Sequence, residues 1–373
     1  MKFYCDKAEL LNAAQIAGRA VSSKSAMPAL EGLLLQLSGS DLILTGYDMK
    51  IGIRTRFEVD VESHGSIVLN SKLFIDIIRT MPTDRLTIES TDLTVKISCF
   101  ASEFEITGMP ASDYPDLPIV DSDDRILIPE NTMKSMIAET LYAISDNTNK
   151  PIHTGSLFEL DNGVLTIVSV DGFRLAMRRE SIIAGNPLLE SHPSEKFVVP
   201  GNMLTELKNI CSDSDDFAAL TVGSSYIMCK LRNTEIISRR LEGDFLDYKR
   251  SIPQEYKVTV EVDRRAITAS VERVSLIITD VLKSPLRMNV SDGVAKFRTM
   301  TAIAKANDEC LIKGDGGELE IGFNNRFILE ALKAAPSDEI TLKFNGAINP
   351  CVITSADEED RFLYMILPVR LTA

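Results

Sequence analysis

A chain of 373 residues with 45% apolar side chains is long enough for two or three domains with real cores. Its 54 acidic and 40 basic residues give a formal net charge of -14, which argues against nucleic acid as a partner unless the cations are segregated on one surface. No basic, apolar leader opens the chain and no run of about 18 apolar residues occurs, so it reads as a soluble, non-exported, cytoplasmic protein.

From the start, Met1-Lys2-Phe3-Tyr4 reads as a strand that passes through Asp6 into a helix with Leu10, Leu11, Ala14 and Ala17 on one face. Strands follow at Leu33–Leu37 and Leu42–Leu44. The phrase then returns: Ile67-Val68-Leu69 reaches the start signal Asn70-Ser71, a helix follows with Leu73, Phe74, Ile77, Ile78 and Met81 in register, and Pro82 stops it. Leu86-Thr87-Ile88 is again a strand. Ile126–Pro129 leads through Asn131-Thr132 into Met133, Met136, Ile137, Leu141 and Ile144, followed by strands at Leu157–Leu160 and Leu165–Val168. Phe197–Pro200 leads through Asn202 into Met203, Leu204, Leu207 and Ile210, and Val258–Val262 through Asp263 into Ile267, Val271 and Val274. The last copy runs from Leu319–Phe323 through Asn324-Asn325 into Phe327, Ile328, Ala331 and Leu332, with strands at Ile340–Leu342 and Cys351–Ile353.

Helix starts recur about every 60 to 70 residues, longer than common solenoid repeats. Each unit is one helix on a few antiparallel strands. Pro- and Asp-rich punctuation at Ala111–Pro118, with the charged stretch Asp121–Arg125 after it, and at Gly243–Pro253 divides the six units into pairs. The fold class is therefore α+β, with three similar domains at 1–118, 124–248 and 253–373, each of two βαβββ-type units.

A search for chemistry returns little. No phosphate loop, dinucleotide fingerprint, zinc-protease motif or nucleophile elbow is present. His64, His153 and His192 lie far apart, with no metal-ligand spacing, and read as surface or loop residues. Asp213, Asp215 and Asp216 lack the turn glycine and distal Glu of a calcium loop and read as a solvated turn. The six cysteines show no CxxC pairing and read as reduced core thiols. No catalytic residue, cofactor or metal is expected.

The cations are more informative. Lys7, Arg19, Lys24, Lys72, Arg79, Lys134, Lys208, Arg264, Arg265, Arg273, Arg326 and Lys333 lie on or beside the helices, off the apolar stripes. Singly, each reads as part of a solvated helix face. Repeated over six helices without aromatic interleaving, they would suit phosphate contacts without base readout.

Four phrases carry a family resemblance: Thr45-Gly46-Tyr47-Asp48, Asp171-Gly172-Phe173-Arg174-Leu175-Ala176, Gly243–Arg250 and the terminus Tyr364–Leu371. Together, and over the whole chain, they resemble the bacterial DNA polymerase III β subunits, the sliding clamps. The resemblance implies the DNA clamp fold, a head-to-tail homodimeric ring with helices inside and sheets outside. Double-stranded DNA would be held topologically and without sequence specificity.

By the same resemblance, Lys24, Lys72 and Arg79 face the DNA, while Gly201-Asn202 departs from a position where the family is commonly basic. A peptide pocket is implied at Lys150, Val170, Gly172, Phe173, Arg174, Leu175, Leu246, Arg250, Ser251, Met365, Leu367, Pro368, Val369, Arg370 and Leu371. It would take Leu-Phe-type linear motifs of the polymerase III α subunit, the clamp loader, other polymerases and mismatch-repair proteins. Phe173, Leu246 and Ser251 replace the family's usual His, Pro and aliphatic residue. From periodicity alone, Leu175, Leu367 and Val369 read as ordinary core. Phe104 and Ile106 on a strand and Leu276 and Ile277 at a helix end match the family's dimer contacts; read without the resemblance, they fit intradomain packing as well. The resemblance implies a processivity factor with no membrane partner. Two other readings are a protein-only repeat scaffold and an enzyme with its site at Asp171–Arg174.

Overall fold

The computed structural model describes residues 1–122, 125–182, 194–279, 281–291, 293–314, 317, 319–357 and 361–371. His192 and the Asp123-Asp124 part of the charged stretch lie outside them. Six α-helices occur among the described residues: α1 (Lys7–Gly18), α2 (Ser71–Thr80), α3 (Glu130–Thr140), α4 (Gly201–Ile210), α5 (Arg264–Ser275) and α6 (Asn325–Ala334). Four start at the polar residue that the sequence marks. The carboxylate of Asp6 accepts from the backbone N–H groups of Ala8 and Glu9, Asn70 from Leu73, Asp263 from Ala266, and Asn324 from Arg326, so each meets an N–H that the first turn leaves unpaired.

The other two starts differ from expectation. α3 and α4 begin directly after Pro129 and Pro200, so Asn131 and Asn202 fall inside the first turn. α3 also ends at Thr140, whose hydroxyl donates to the Met136 carbonyl at 2.8 Å, and Leu141–Ala143 tightens into a 3-10 turn. Ile144 therefore lies beyond the helix. Leu73, placed on the apolar stripe of α2 by spacing, is 49% exposed instead.

Contacts divide the chain into two compact units, and the middle third contributes to both. The first holds a five-stranded sheet, in the order Asp60–Ser63, Lys2–Asp6, Arg85–Thr91, Thr94–Cys99, Ser102–Thr107. It also holds an eight-stranded sheet, Ile126–Pro129, Phe217–Val222, Tyr226–Leu231, Thr234–Arg239, Ile51–Glu58, Asp41–Tyr47, Gly32–Ser38, Ser66–Asn70. The second unit has an eight-stranded sheet, Ser194–Pro200, Gly155–Asp161, Val164–Val170, Arg174–Ser181, Phe362–Ile366, Cys351–Ser355, Glu339–Phe344, Val258–Asp263. A four-stranded sheet completes it, Lys305–Leu311, Val294–Met300, Leu286–Ser291, Leu319–Phe323.

Every pairing between these strands is antiparallel, and this interleaves the sequence units in space. Lys2–Asp6 pairs with Asp60–Ser63 on one side and with Arg85–Thr91, beyond α2, on the other. In the same way Gly32–Ser38 pairs with Ser66–Asn70. α1 and α2 in the first unit, and α5 and α6 in the second, therefore each carry the chain from one sheet of their unit to the other, and their apolar faces fill the space between. Leu10, Ala14 and Ala17 of α1 and Phe74, Ile77 and Ile78 of α2 share one core with Phe3, Ile88 and Ile97 of one sheet and Leu33, Leu44 and Leu69 of the other. Ile267, Val271, Ile328 and Leu332 do the same in the second unit. All six cysteines are buried and free, as their scatter implies.

The Ala111–Pro118 punctuation is packed down. Tyr114 and Leu117 are buried, and the Tyr114 hydroxyl donates to the Thr45 carbonyl at 3.2 Å. Close approach also sets Gly46, where a Cβ would stand 2.0 Å from the Ala17 carbonyl oxygen of α1. Gly46→Ala should force α1 off its sheet and destabilise the fold by about 2 to 3 kcal/mol, read as a lower denaturant midpoint. An unchanged midpoint would show that α1 does not sit so tightly.

Candidate functional site

The predicted pocket residues fall in one unit and centre on the turn Asp171–Arg174. Gly172 has a φ of +92°, in the left-handed region that favours glycine. Asp171 fixes the turn from inside: its Oδ1 accepts from the Phe173 N–H at 2.9 Å and the Arg174 N–H at 3.0 Å, and its Oδ2 from Arg174 Nε at 2.8 Å. Asp171 is thus committed to holding its own turn, which leaves the enzyme reading without its acid or base. The turn pushes Phe173 outward, 61% exposed, with its ring stacked on Phe327 at 6.1 Å.

Arg174 behaves differently from the framing residue expected of it. It is buried, and its guanidinium pairs with Asp171 and Glu330, donates to the Tyr142 carbonyl at 2.6 Å, and lies 4.5 Å from the centre of the Phe327 ring. Burial works against ionising Glu330, yet hydrogen bonds from Arg174 and Arg326 outweigh it and hold its carboxyl below the usual range. Arg174 therefore supports the Asp171–Arg174 turn from behind, tying it to Glu330 and the Tyr142 carbonyl. Neither Glu330 nor Phe327 was legible as its partner, because both lie more than a hundred residues away in sequence.

Val170, Leu175 and Met365 form an apolar floor, packed in one cluster with Leu157, Val198 and Tyr248. The core reading thus holds for Leu175. Leu367 and Val369 are instead 36% and 39% exposed, beyond the last strand. The tail is tied down rather than paired as a strand: Leu367 N–H donates to the Phe173 carbonyl and Val369 N–H to the Gly322 carbonyl, each at 2.8 Å. At Gly322 a Cβ would meet Leu371 at 2.5 Å, so glycine lets the tail close. Pro368 is half-buried and Arg370 exposed on the same segment.

A loop supplies the remaining rim. Leu246 is 44% exposed, Ser251 half-buried, and Arg250 exposed with only Asp247 as an ion-pair partner among the described residues, at 2.9 Å. Lys150 is exposed just ahead of the 3-10 turn Pro151–Thr154. In that turn His153 packs edge-on to Phe245 at 5.4 Å, and burial, with Lys150 nearby, lowers its pKa. Glu159, which no sequence signal marked, accepts from the Tyr248 hydroxyl at 2.6 Å and from Lys249 at 2.7 Å.

The helix cations are mostly neutralised. Arg19 pairs with Glu206, Arg79 with Asp76, Arg264 and Arg265 with Asp338, Arg273 with Asp308, Arg326 with Glu330, and Lys333 with Glu272. Lys24 and Lys72 are exposed and make no ion pair among the described residues. Among those residues no cluster of His, Cys, Asp and Glu is arranged to hold a metal, and no helix is long and apolar enough to cross a membrane. Phe104 and Ile106 lie on the free edge strand Ser102–Thr107, Phe104 being 40% exposed. Leu276 caps α5 at 81% exposure and Ile277 follows it, half-buried.

Family models for the DNA polymerase III beta subunit match nearly the whole chain: the N-terminal domain at residues 1–118, the central domain at 127–247 and the C-terminal domain at 249–370. The chain belongs to the DNA polymerase III beta subunit family. A beta sliding clamp of Halalkalibacterium halodurans is 31% identical over 99% of this chain and 100% of its own, and one of Staphylococcus epidermidis 27% over 99% of each. Among solved structures, a putative DNA polymerase III beta subunit of Eubacterium rectale superposes with a TM-score of 0.92 at 31% identity. A DNA polymerase sliding clamp of Bacillus subtilis does so with 0.93 at 28%, and both cover the full length of each chain. The beta-subunit family consists of sliding clamps, non-enzymatic processivity factors with the α+β clamp fold, and this chain functions as one.

Arg174→Ala would leave two carboxylates and a ring without their shared cation and should cost about 3 kcal/mol in urea unfolding. Arg174→Lys should restore little, since one ammonium cannot reproduce the planar fork. A loss under about 0.5 kcal/mol in either variant would contradict the supporting role given to this residue.

Proposed function

We propose that two copies of this chain close head to tail around double-stranded DNA, each divided into domains at 1–118, 124–248 and 253–373. The ring tethers the replicative polymerase in the bacterial cytoplasm at replication forks. Each copy presents its Asp171–Arg174 pocket to Leu-Phe-type linear motifs of the DNA polymerase III α subunit, the clamp loader, other polymerases and mismatch-repair proteins. Phe173, Leu246, Leu367 and Val369 supply the apolar contact, with Arg250 and Lys150 at the rim. Tethering raises the polymerase's effective concentration at the primer end.

The observation that carries this reading is a register. Each eight-stranded sheet is two four-stranded halves joined edge to edge, and the two joints are equivalent. Thr234–Arg239 meets Ile51–Glu58 with Ile236 opposite Ile53, and Phe362–Ile366 meets Arg174–Ser181 with Tyr364 opposite Ala176. Following the strand pairings outward from the helix starts makes Ile236 and Tyr364 the same repeat position, and Ile53 and Ala176 the same position. The hairpin tips agree, with Phe100 at a φ of +51° and Arg232 at +49°.

Two half-sheets have no such joint, and their edges are the strands at these positions, Ser102–Thr107 and Lys305–Leu311. An open edge invites pairing. Joined in the same register across two copies, Phe104 would oppose Ala306 of the partner subunit and Glu105 would oppose Lys305 of the partner subunit, a complementary pair. Leu276 and Ile277 would add apolar contact from the end of α5, which packs on the Lys305–Leu311 strand. The grip on DNA would come from Lys24, Lys72 and Arg79. With Arg79 itself paired to Asp76 and most other helix cations neutralised, it is weak, as sliding needs.

With Glu105→Cys and Lys305→Cys in one chain, oxidation should give a covalent dimer in high yield, because opposed strand residues lie within disulfide reach. Glu105→Cys with Asp308→Cys, which that register sets apart, should not. Equal yields, or a protein that stays monomeric, would contradict head-to-tail closure through these strands.

A further inference from the structure

Two linkers of this chain are each pinned by a buried tyrosine, but by different chemistry. Tyr114 bonds a backbone carbonyl, whereas Tyr248 reaches the ionised side chain of Glu159. Glu159 lies on Gly155–Asp161 and is 4% exposed. Its Oε2 accepts from the Tyr248 hydroxyl at 2.6 Å, and its Oε1 from Lys249 at 2.7 Å with Lys196 at 3.1 Å. Three donors from two segments thus meet one buried carboxylate. Burial alone would raise its pKa, but hydrogen bonds from Lys249, Tyr248 and Lys196 outweigh that and hold it at about 2.

On the way to that bond the Tyr248 ring passes through the pocket floor, packed with Val170, Leu175 and Met365. Its N–H donates to the Leu246 carbonyl at 2.7 Å, and the 3-10 turn that it opens carries Arg250 and Ser251. Leu246, Arg250 and Ser251 therefore take their places from a latch whose tyrosine and carboxylate are themselves buried. We propose that Glu159 is a positioning residue for motif recognition, which sets the pocket's 246–251 rim through Tyr248 and Lys249. This rests on the pocket reading given above.

A fluorescent peptide carrying a Leu-Phe motif, titrated by anisotropy, tests it. Tyr248→Phe, which removes one hydroxyl and leaves the floor filled, should weaken binding about tenfold. Glu159→Ala should weaken it at least as much, and Glu159→Gln, which keeps an acceptor for the hydroxyl, should recover part of the loss. Tyr248→Phe combined with Glu159→Gln should bind no worse than the weaker single variant, since both act through one bond. Amide exchange should quicken at residues 246–251 and stay unchanged at Arg174–Ser181.

Leu367→Ala, on the tail wall of the pocket, separates the two ways to fail. If it abolishes binding while Tyr248→Phe binds as the unaltered protein does, the positioning role is overturned and the pocket stands. If Leu367→Ala also binds normally, the pocket reading falls and takes this inference with it. Additive losses in the Tyr248→Phe, Glu159→Gln pair would likewise overturn the latch.

Discussion

An unpaired strand edge is the constraint on which this structure turns. Backbone N–H and C=O groups along an edge must find partners or be guarded. Within the chain, four half-sheets resolve the problem in pairs, and the same register at both joints means that one solution has been used twice. Two half-sheets are left with the same kind of edge and no neighbour. Closure by a second copy would let one geometry serve every joint. A ring is the shape in which neither of these two edges is left over.

The joints are alike in register and unlike in chemistry. At one, Thr55 and Thr234 hydroxyls share a buried hydrogen bond of 3.0 Å. The equivalent site of the other carries Arg178, fully buried and bonded to Glu139 at 2.7 Å. Burial raises the Glu139 pKa even though Arg178 opposes it. The joint beside the pocket is thus the one rich in ionic contacts, with Arg174, Arg178 and Glu159 all buried in its sheet. Buried ion pairs contribute more to defining geometry than to net stability. A pocket that holds short motifs in one pose, as proposed for this one, has use for such definition.

Much of this was legible in the residues. Asp6, Asn70, Asp263 and Asn324 announced their helices because an N-cap is a local bargain between one side chain and one N–H. α3 and α4 were placed less well, since the caps sought at Asn131 and Asn202 fall within their first turns. The sixfold phrase was read, but the interleaving was not, because pairing of Lys2–Asp6 with a strand some eighty residues on leaves no local mark. The cations were seen on the helices, while Glu206, Glu272, Asp308 and Asp338, which neutralise five of them, lie tens of residues or more away in sequence; Asp76 and Glu330 share a helix with their cations. The same limit hid Glu330 behind Arg174 and Glu159 behind Tyr248.

The central claim is that DNA is held by enclosure, and it is tested most directly by loading the protein, with the clamp loader proposed as its partner, onto nicked circular DNA and measuring its retention before and after the circle is cut. Enclosure with a weak electrostatic grip predicts slow loss from the circle at moderate salt and rapid loss once free ends exist. Equal retention on circle and line would mean that the protein binds DNA along a surface, and the account would be wrong.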